Sequence, residues 1–400
     1  MSAMTAARLK AAMDSTAFRF VFTLGVVNLF ADITYEGGGS INGPFLGTLG
    51  ASAALISIVA GLGEFLGYSL RAVSGHIADR TGRYWPVSFV GYAINLLAVP
   101  AMALAGSWQV AALLMLAERI GRAIRKPTIE SMLSYTTSKF GKGWVFAVNT
   151  AMDETGATLG PLLMAALLAL GGDYRMAYAM LLLSSLLALA SLTAARIGYP
   201  VPADLGDGST APETEFTPAF WLYMTGGALF AAGLMSYELI SFHLVSAGLI
   251  SKSWMPVALA FATGCGVFAN LILGRLFDRM GMNVVLAAVI LSAFFTPLVF
   301  SGALVPVLIA MPLWGVGYAV QDTLFKALVA GILPEKKRGL AFGLFYAGYG
   351  LGWLLGSVAV GLLYQHSHLA LVVFAVAAQL CALPFFILGH RSRRPRLRHI

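Results

Sequence analysis

Gly75-His76-Ile77-Ala78-Asp79-Arg80-Thr81-Gly82 returns in the second half of the chain as Gly274-Arg275-Leu276-Phe277-Asp278-Arg279-Met280-Gly281. Each copy closes one apolar run and leads into the next. Two further echoes keep the same order. Gly143 to Leu168 parallels Gly339 to Tyr364, with Gly156 and Gly160 matched by Gly352 and Gly356 at a constant offset of 196, and Tyr35-Glu36 answers Tyr237-Glu238. One such coincidence is weak; three in the same order indicate an internal duplication. Parallel repeats of this size are a known design for membrane transporters.

The segments between the echoes say which solvent the fold inhabits. Of 400 residues, 58% are apolar and 11% charged, and the mean hydropathy is +0.80. A soluble domain carries about a quarter charged residues. Apolar runs of about 20 residues, long enough for a hydrocarbon core of about 30 Å, recur from Phe18 to Leu388. They are Leu/Ala/Gly-rich and lack the two-residue alternation of barrel strands, so they are helices. The expected spans are 17–47, 53–77, 84–105, 108–131, 144–170 and 174–196, then 218–248, 254–277, 283–302, 304–332, 338–365 and 368–389. Residues 197–217, rich in Pro, Gly, Asp and Glu, interrupt this pattern as a linker. The expected fold is therefore an all-α membrane protein of twelve transmembrane helices in two pseudo-symmetric six-helix bundles, 1–196 and 218–390, with a basic tail at 391–400. Cys265 and Cys381 lie within apolar runs and show no metal or disulfide spacing.

The net charge of +8 is distributed as a membrane protein distributes it. Arg8, Lys10, Arg19, Arg80, Arg83, Lys139, Lys142, Arg196, Arg275, Arg279, Lys336, Lys337, Arg338 and the run from Arg391 to Arg398 fall on one side of the expected topology. The opposite loops hold Arg175 and Lys252. By the positive-inside rule both termini are cytoplasmic, in what is expected to be the inner membrane of a prokaryote. The basic tail then meets anionic lipid headgroups rather than nucleic acid. The short basic N-terminus lacks a small-residue cleavage site after its first apolar run, so that run is expected to be a retained helix.

Over nearly its whole length the chain resembles the major facilitator superfamily. The run Gly75 to Arg83 is similar to that family's signature loop between its second and third helices. Gly156-Ala157-Thr158-Leu159-Gly160-Pro161 resembles the fifth-helix pattern of its exporters. Met115 departs from it, standing where the fourth helix usually places an arginine six residues before Gly121. The resemblance implies a central cavity faced by helices one and seven.

Charge inside a span is costly and normally faces a bundle interior or a water-filled cavity. Asn28, Asp32 and Glu36, four apart, line one face of the first helix, and Glu238 and His243 occupy the seventh. A carboxylate in such a place can take up and release a proton. Glu118 and Arg122 are spaced as a helical ion pair, Glu64 and Arg71 share a face, and Arg122 or Arg125 is expected to neutralise Asp153. Asp322 and Lys326 form another four-apart pair. The triplet Gly37-Gly38-Gly39 should either loosen the first helix or let a neighbour approach closely. Gly75, Asp79, Arg80, Gly82, Arg83, Asp278 and Arg279 are expected to form a cytoplasmic gate latch, and Gly156, Gly160 and Pro161 to pack the fifth helix. Aromatic stripes containing Trp314, Tyr318, Tyr346, Tyr349 and Trp353 are largely core, with some members fit to line a cavity.

No Gly-x-x-x-x-Gly-Lys-Ser/Thr loop is present, so nucleotide hydrolysis has no support and no cofactor is implied. The expectation is a non-enzymatic, monomeric secondary transporter, a proton-coupled exporter of a small organic solute. The alternatives are proton-coupled uptake of a sugar or organic acid, and export of a divalent metal through His243 with Glu238 and Glu36. A non-transporting sensor is the reading from another class.

Overall fold

The computed structural model describes residues 16–134, 142–200, 217–330 and 338–392, and every regular element among them is a helix. In the first half α1 (Thr16–Gly39) is followed by the short α2 (Asn42–Thr48). Then come α3 (Ala53–Thr81), α4 (Tyr84–Ala101), α5 (Trp108–Ser134), α6 (Lys142–Ala169) and α7 (Tyr174–Gly198). In the second half α8 (Pro218–Gly233) and α9 (Tyr237–Ser246) make one interrupted pass. They precede α10 (Met255–Met280), α11 (Met282–Ala293), α12 (Phe295–Val299) and α13 (Leu304–Ala319). A π-helical segment, Val320–Phe325, carries α13 into α14 (Lys326–Ala330). The long α15 (Arg338–His366) and α16 (His368–Ser392) complete the fold.

Local chemistry sets several helix ends. The Ser52 hydroxyl accepts from Leu55 N at 3.3 Å and the Asp173 carboxylate from Met176 N at 2.8 Å, so both residues cap orphan amides. The duplicated loops stop their helices in the same way. Gly82, at φ +64°, ends α3 and donates to Ala78 O, while Gly281, at φ +58°, ends α10 and donates to Phe277 O. Both need the left-handed region that glycine enters freely.

Among the described residues, ten passes are long and apolar enough to cross a membrane. Leu183, Phe268, Leu271, Val305 and Leu355 expose their side chains on the outside, as lipid-facing residues do. The chain is an integral membrane protein. The two long helices outside those ten are α5 and α6, of 27 and 28 residues. They fall short on apolarity because α5 carries Glu118, Arg119, Arg122, Arg125 and Lys126, and α6 carries Asp153 and Glu154. The polar site and the two least lipid-like helices coincide.

Two buried clusters, one around Tyr92 and Leu96 and one around Phe45 and Tyr178, hold the first half together. The second half is built on one larger core around Phe230, Trp314, Phe325 and Trp353, which takes in Ala53 and Tyr68 of α3. At one end of the molecule the halves interlock through glycines. A Cβ at Gly47 would lie 2.7 Å from the Phe242 ring, at Gly361 3.0 Å from Ala54 Cα, and at Gly350 3.1 Å from Phe65 Cα. Ser57 Oγ also donates to Ser357 O at 2.7 Å.

The expected spans 17–47 and 218–248 are each interrupted. α1 runs through the glycine triplet and ends at Gly39, with Ser40 and Ile41 separating it from α2, and Gly37 and Gly38 serve close packing. A Cβ at Gly37 would sit 3.1 Å from the Leu181 side chain, and at Gly38 2.7 Å from that of Val99. A second interruption falls at Leu234–Ser236, where Leu234 and Ser236 are extended. There the Trp314 indole donates to Met235 O at 2.9 Å and Gln379 donates to Gly233 O at 3.0 Å, so side chains satisfy carbonyls that the helix gives up.

Candidate functional site

Close helix approaches place the polar side chains. Gly91 faces α5, where a Cβ would lie 2.7 Å from Arg125 N, and Gly121 faces α4, where a Cβ would lie 2.8 Å from Asn95 Cα. These contacts bring Asn95 between Glu118 and Arg125. On the other side of α1, a Cβ at Gly156 would lie 3.1 Å from Asp32 Cβ and one at Gly160 2.8 Å from Gly37 N. Gly352 and Gly356 of α15 meet Ala228 and Ala232 of α8 in the same manner, which is the duplication expressed as packing.

An inner network belongs to the first half. Arg125, 3% exposed, donates to Asp32 Oδ1 at 2.9 Å and to Asn95 Oδ1 at 3.0 Å, and lies 4.8 Å over the Tyr92 ring. Asn95 in turn donates to Glu118 Oε1 at 3.0 Å. The Tyr92 hydroxyl donates to Asn28 Oδ1 at 2.5 Å, Asn28 donates to Asn149 Oδ1 at 2.8 Å, and Asn149 reaches Asp153 at 3.4 Å. Lys126 stands 4.0 Å from Asp153. Buried charges survive only when paired and hydrogen-bonded, and Asp32 and Arg125 meet both conditions.

A second network crosses between the halves, with Arg119 at its centre. The Arg119 guanidinium reaches Glu64 Oε1 of α3 at 2.8 Å, Glu118 Oε2 at 3.6 Å and Glu238 Oε1 of α9 at 3.0 Å, and it donates to the Tyr35 hydroxyl. Arg122 lies 3.7 Å over the Tyr35 ring and 3.7 Å from Glu36 Oε1. Glu238 is 4% exposed. It occupies the first turn of α9, where the helix dipole favours a carboxylate.

The structure thus gathers Asn28, Asp32, Glu36, Glu118, Arg122, Asp153 and Glu238, but with different partners from those expected. Glu118 does not pair with Arg122: four-residue spacing allows the contact, yet Glu36 draws Arg122 away and Arg119 takes Glu118. Asp153 is neutralised by Lys126 rather than by Arg122 or Arg125, because Arg125 is committed to Asp32. Glu64 turns to Arg119, and Arg71 lies over the Tyr68 ring at 4.9 Å. His243 stands apart, 3.0 Å from the Tyr364 hydroxyl and packed on Phe300 and His368. Glu238 faces Arg119, so Glu36, Glu238 and His243 do not come together on one point. Among the described residues no three His, Cys, Asp or Glu side chains gather as metal ligands.

Of the expected gate latch, Arg80, Arg83, Asp278 and Arg279 are exposed. The side chains of Asp79 and Asp322 lie outside the described residues, as do residues 1–15, Lys139, 201–216, Lys336, Lys337 and 393–400.

Tyr92, Asn95 and Asn149 were not among the sequence candidates, and Arg119, Glu64 and Tyr35 have partners here that the sequence reading did not assign them. Polarity in an apolar run is the signal they carry: Asn95 and Tyr92 share a face of α4 at three-residue spacing, and Arg119 is the first cation met along α5.

Apolar passes in two similar halves, joined across a buried charge layer, define a membrane transporter rather than an enzyme. The chain belongs to the Major Facilitator Superfamily, which residues 21–320 and 253–399 match. A Mycobacterium tuberculosis (strain ATCC 25618 / H37Rv) protein of uncharacterised function is 36% identical over 390 residues, covering 96% of this chain and 95% of that one. Two solved structures share the fold. One is a bacterial homologue of the human lysosomal transporter Spinster in an inward-facing, occupied conformation (TM-score 0.69, 16% identity, 93% of this chain and 96% of that one). The other is the nucleoside transporter NupG (TM-score 0.73, 13% identity, 93% and 99%).

Proposed function

We propose that the chain is a proton-coupled exporter of a small organic solute, working as a monomer by alternating access. In this arrangement twelve spans form two six-helix bundles, 1–196 and 218–390, with linker 197–217 and both termini on the cytoplasmic side of a prokaryotic inner membrane.

One observation carries the reading: Arg119 of the first half is ion-paired with Glu238 of the second, inside a layer that also holds Glu64 and Glu118. Protonating Glu238 removes its charge, loosens the hold of Arg119 and lowers the cost of separating the halves at that level. Binding that favours one state shifts the population by its differential affinity. The ion pair therefore links a proton to the access state. Asp32 and Glu36, held by Arg125 and Arg122, are the further sites at which a proton can trade with a cationic partner. Direction is supported by the Gly156–Pro161 run, which packs α6 on α1 beside Asp32.

The test is flux in proteoliposomes under an imposed pH gradient. Asp32→Asn, Glu36→Gln and Glu238→Gln are expected to remain folded and to lose gradient-driven transport. Normal pH-driven flux in all three sinks the coupling assignment. Cells that overproduce the chain should accumulate less substrate; greater accumulation would make it an importer.

A further inference from the structure

A second cluster of titratable side chains lies away from the charge layer, at the end where the halves interlock. His243 of α9, Phe300 of the turn after α12, Tyr364 of α15 and His368 at the start of α16 pack together, every pair of ring centroids within 6.1 Å. His243 is 7% exposed, and its Nδ1 lies 3.0 Å from the Tyr364 hydroxyl. With the proton on that nitrogen and donated to Tyr364, Nε2 keeps its lone pair. Among the described residues Nε2 has no hydrogen-bond partner. His368 is exposed, so the cluster opens to solvent through it.

Two imidazoles that share one zinc-like ion hold it about 2.0–2.1 Å from a nitrogen of each, which sets their ring centroids about 5 Å apart in a tetrahedral site. His243 and His368 already stand 5.3 Å apart, with ring planes at 83°. A metal-ligating histidine usually donates its other N–H to a fixed partner, and the Tyr364 hydroxyl is placed to be that partner for His243. Phe300 walls one side, 4.3 Å from the His243 ring and 5.2 Å from that of His368. The four side chains include no carboxylate, so the cluster suits metals that prefer imidazole and not Mg2+ or Ca2+. His243 also follows Phe242, whose ring lies 6.3 Å from that of Tyr364 and would lie 2.7 Å from a Cβ at Gly47 of α2. A bond from His243 to the start of α16 therefore holds α9 where Phe242 closes on the first half.

We propose that His243 and His368 bind a divalent transition metal of the zinc type, solvent completing its coordination, and that the ion holds the interlocked end closed. The ion is a regulator and not cargo, because the cluster lies apart from the charge layer. A ligand that binds one access state better shifts the population toward it. The effect on access rests on the transport reading above; the metal site stands without it.

Zn2+ titrated into the purified, untagged full chain in nanodiscs tests the site, with empty nanodiscs as the blank. Calorimetry should show one site with a Kd below about 100 μM, and Zn2+ should raise the Tm, whereas Mg2+ should do neither. His243→Gln and His368→Gln should each weaken binding at least about tenfold, and Tyr364→Phe about tenfold. With Cu2+ as the probe, the electron paramagnetic resonance spectrum should carry couplings from two imidazole nitrogens. If His243→Gln fails to fold, the exposed His368→Gln and the copper spectrum still decide the matter. Zn2+ binding that survives both histidine replacements, or that is lost on replacing His366 or His390 alone, is an adventitious ion only and overturns the proposal, as does absent binding. Zn2+ should also slow amide hydrogen exchange in Asn42–Thr48 and Tyr237–Ser246 of the wild type and not of His368→Gln. Unchanged exchange in the metal-bound wild type overturns the closing role. Proteoliposomes separate the two levels. Flux driven by a pH gradient without Zn2+ binding rejects the site and leaves the transporter. Zn2+ binding at both imidazoles without gradient-driven flux of any solute leaves the site and rejects coupled transport.

Discussion

Arg119 is the residue whose loss should be felt most widely, since it contacts carboxylates from α3, α5 and α9 at once. Replacing it with glutamine leaves these carboxylates without their cation. Breaking a buried pair from one side costs about 3–5 kcal/mol when the survivor stays charged. The Tm of Arg119→Gln should therefore fall relative to wild type. The double variant Arg119→Gln/Glu238→Gln should recover part of that fall. An additive double variant would mean that Arg119 and Glu238 are not energetically coupled. At this scale the sequence told which side chains matter but not whom they meet. Asp32, Glu118, Arg122 and Glu238 announce themselves as charges in apolar runs. Arg122 and Glu118 lie on one face, yet Arg122 meets Glu36 of α1 while Glu118 meets Asn95 of α4 and its own neighbour Arg119, and the four-residue spacing cannot report that.

At the scale of elements, glycine does two different jobs in the same helix pair, and substitution should tell them apart. Gly39 has nothing within 4 Å of an added Cβ, whereas Gly160 points at the backbone of Ile33 and Gly37. Gly39→Ala should be neutral or stabilise by up to about 1 kcal/mol, through the reduced freedom of the unfolded chain. Gly160→Leu must push α6 off α1 and should cost at least about 1–3 kcal/mol, with loss of transport because Asp32 and Asp153 move apart. Thermal unfolding in detergent measures both; equal effects would show that the α1–α6 approach is not tight. The glycine pattern was legible as helix packing because Gly156 and Gly160 are echoed by Gly352 and Gly356. The break at Leu234–Ser236 was not. No glycine or proline marks those three residues, and the extended backbone is held by Trp314 and Gln379 from elements far along the chain.

At the scale of the whole molecule, the two halves touch most intimately at the end that carries Gly43, Ser57, Ser357 and Gly361. That contact has to open if access alternates. The duplicated loops lie toward the other end. An ideal Cβ at position 361 lies 3.0 Å from Ser57 Cβ, a few tenths of an ångström short of the usual Cβ separation in a disulfide, about 3.5–4.5 Å. With Cys265 and Cys381 replaced by serine, the pair Ser57→Cys/Gly361→Cys should therefore cross-link under mild oxidation. Cross-linking pins the halves in the conformation described here, so flux should stop and return on adding a reductant. Each single cysteine variant should transport equally well with and without oxidant. Substrate should protect or expose the pair according to the state it favours, because a ligand shifts a two-state equilibrium only by its differential affinity. A cross-linked protein that still transports would show that this end does not open during the cycle, and would move the outer gate elsewhere. Sequential loss of flux and its recovery on reduction, with the Arg119–Glu238 pair intact throughout, would place the gate at this interface and leave the charge layer as the element that decides when it opens.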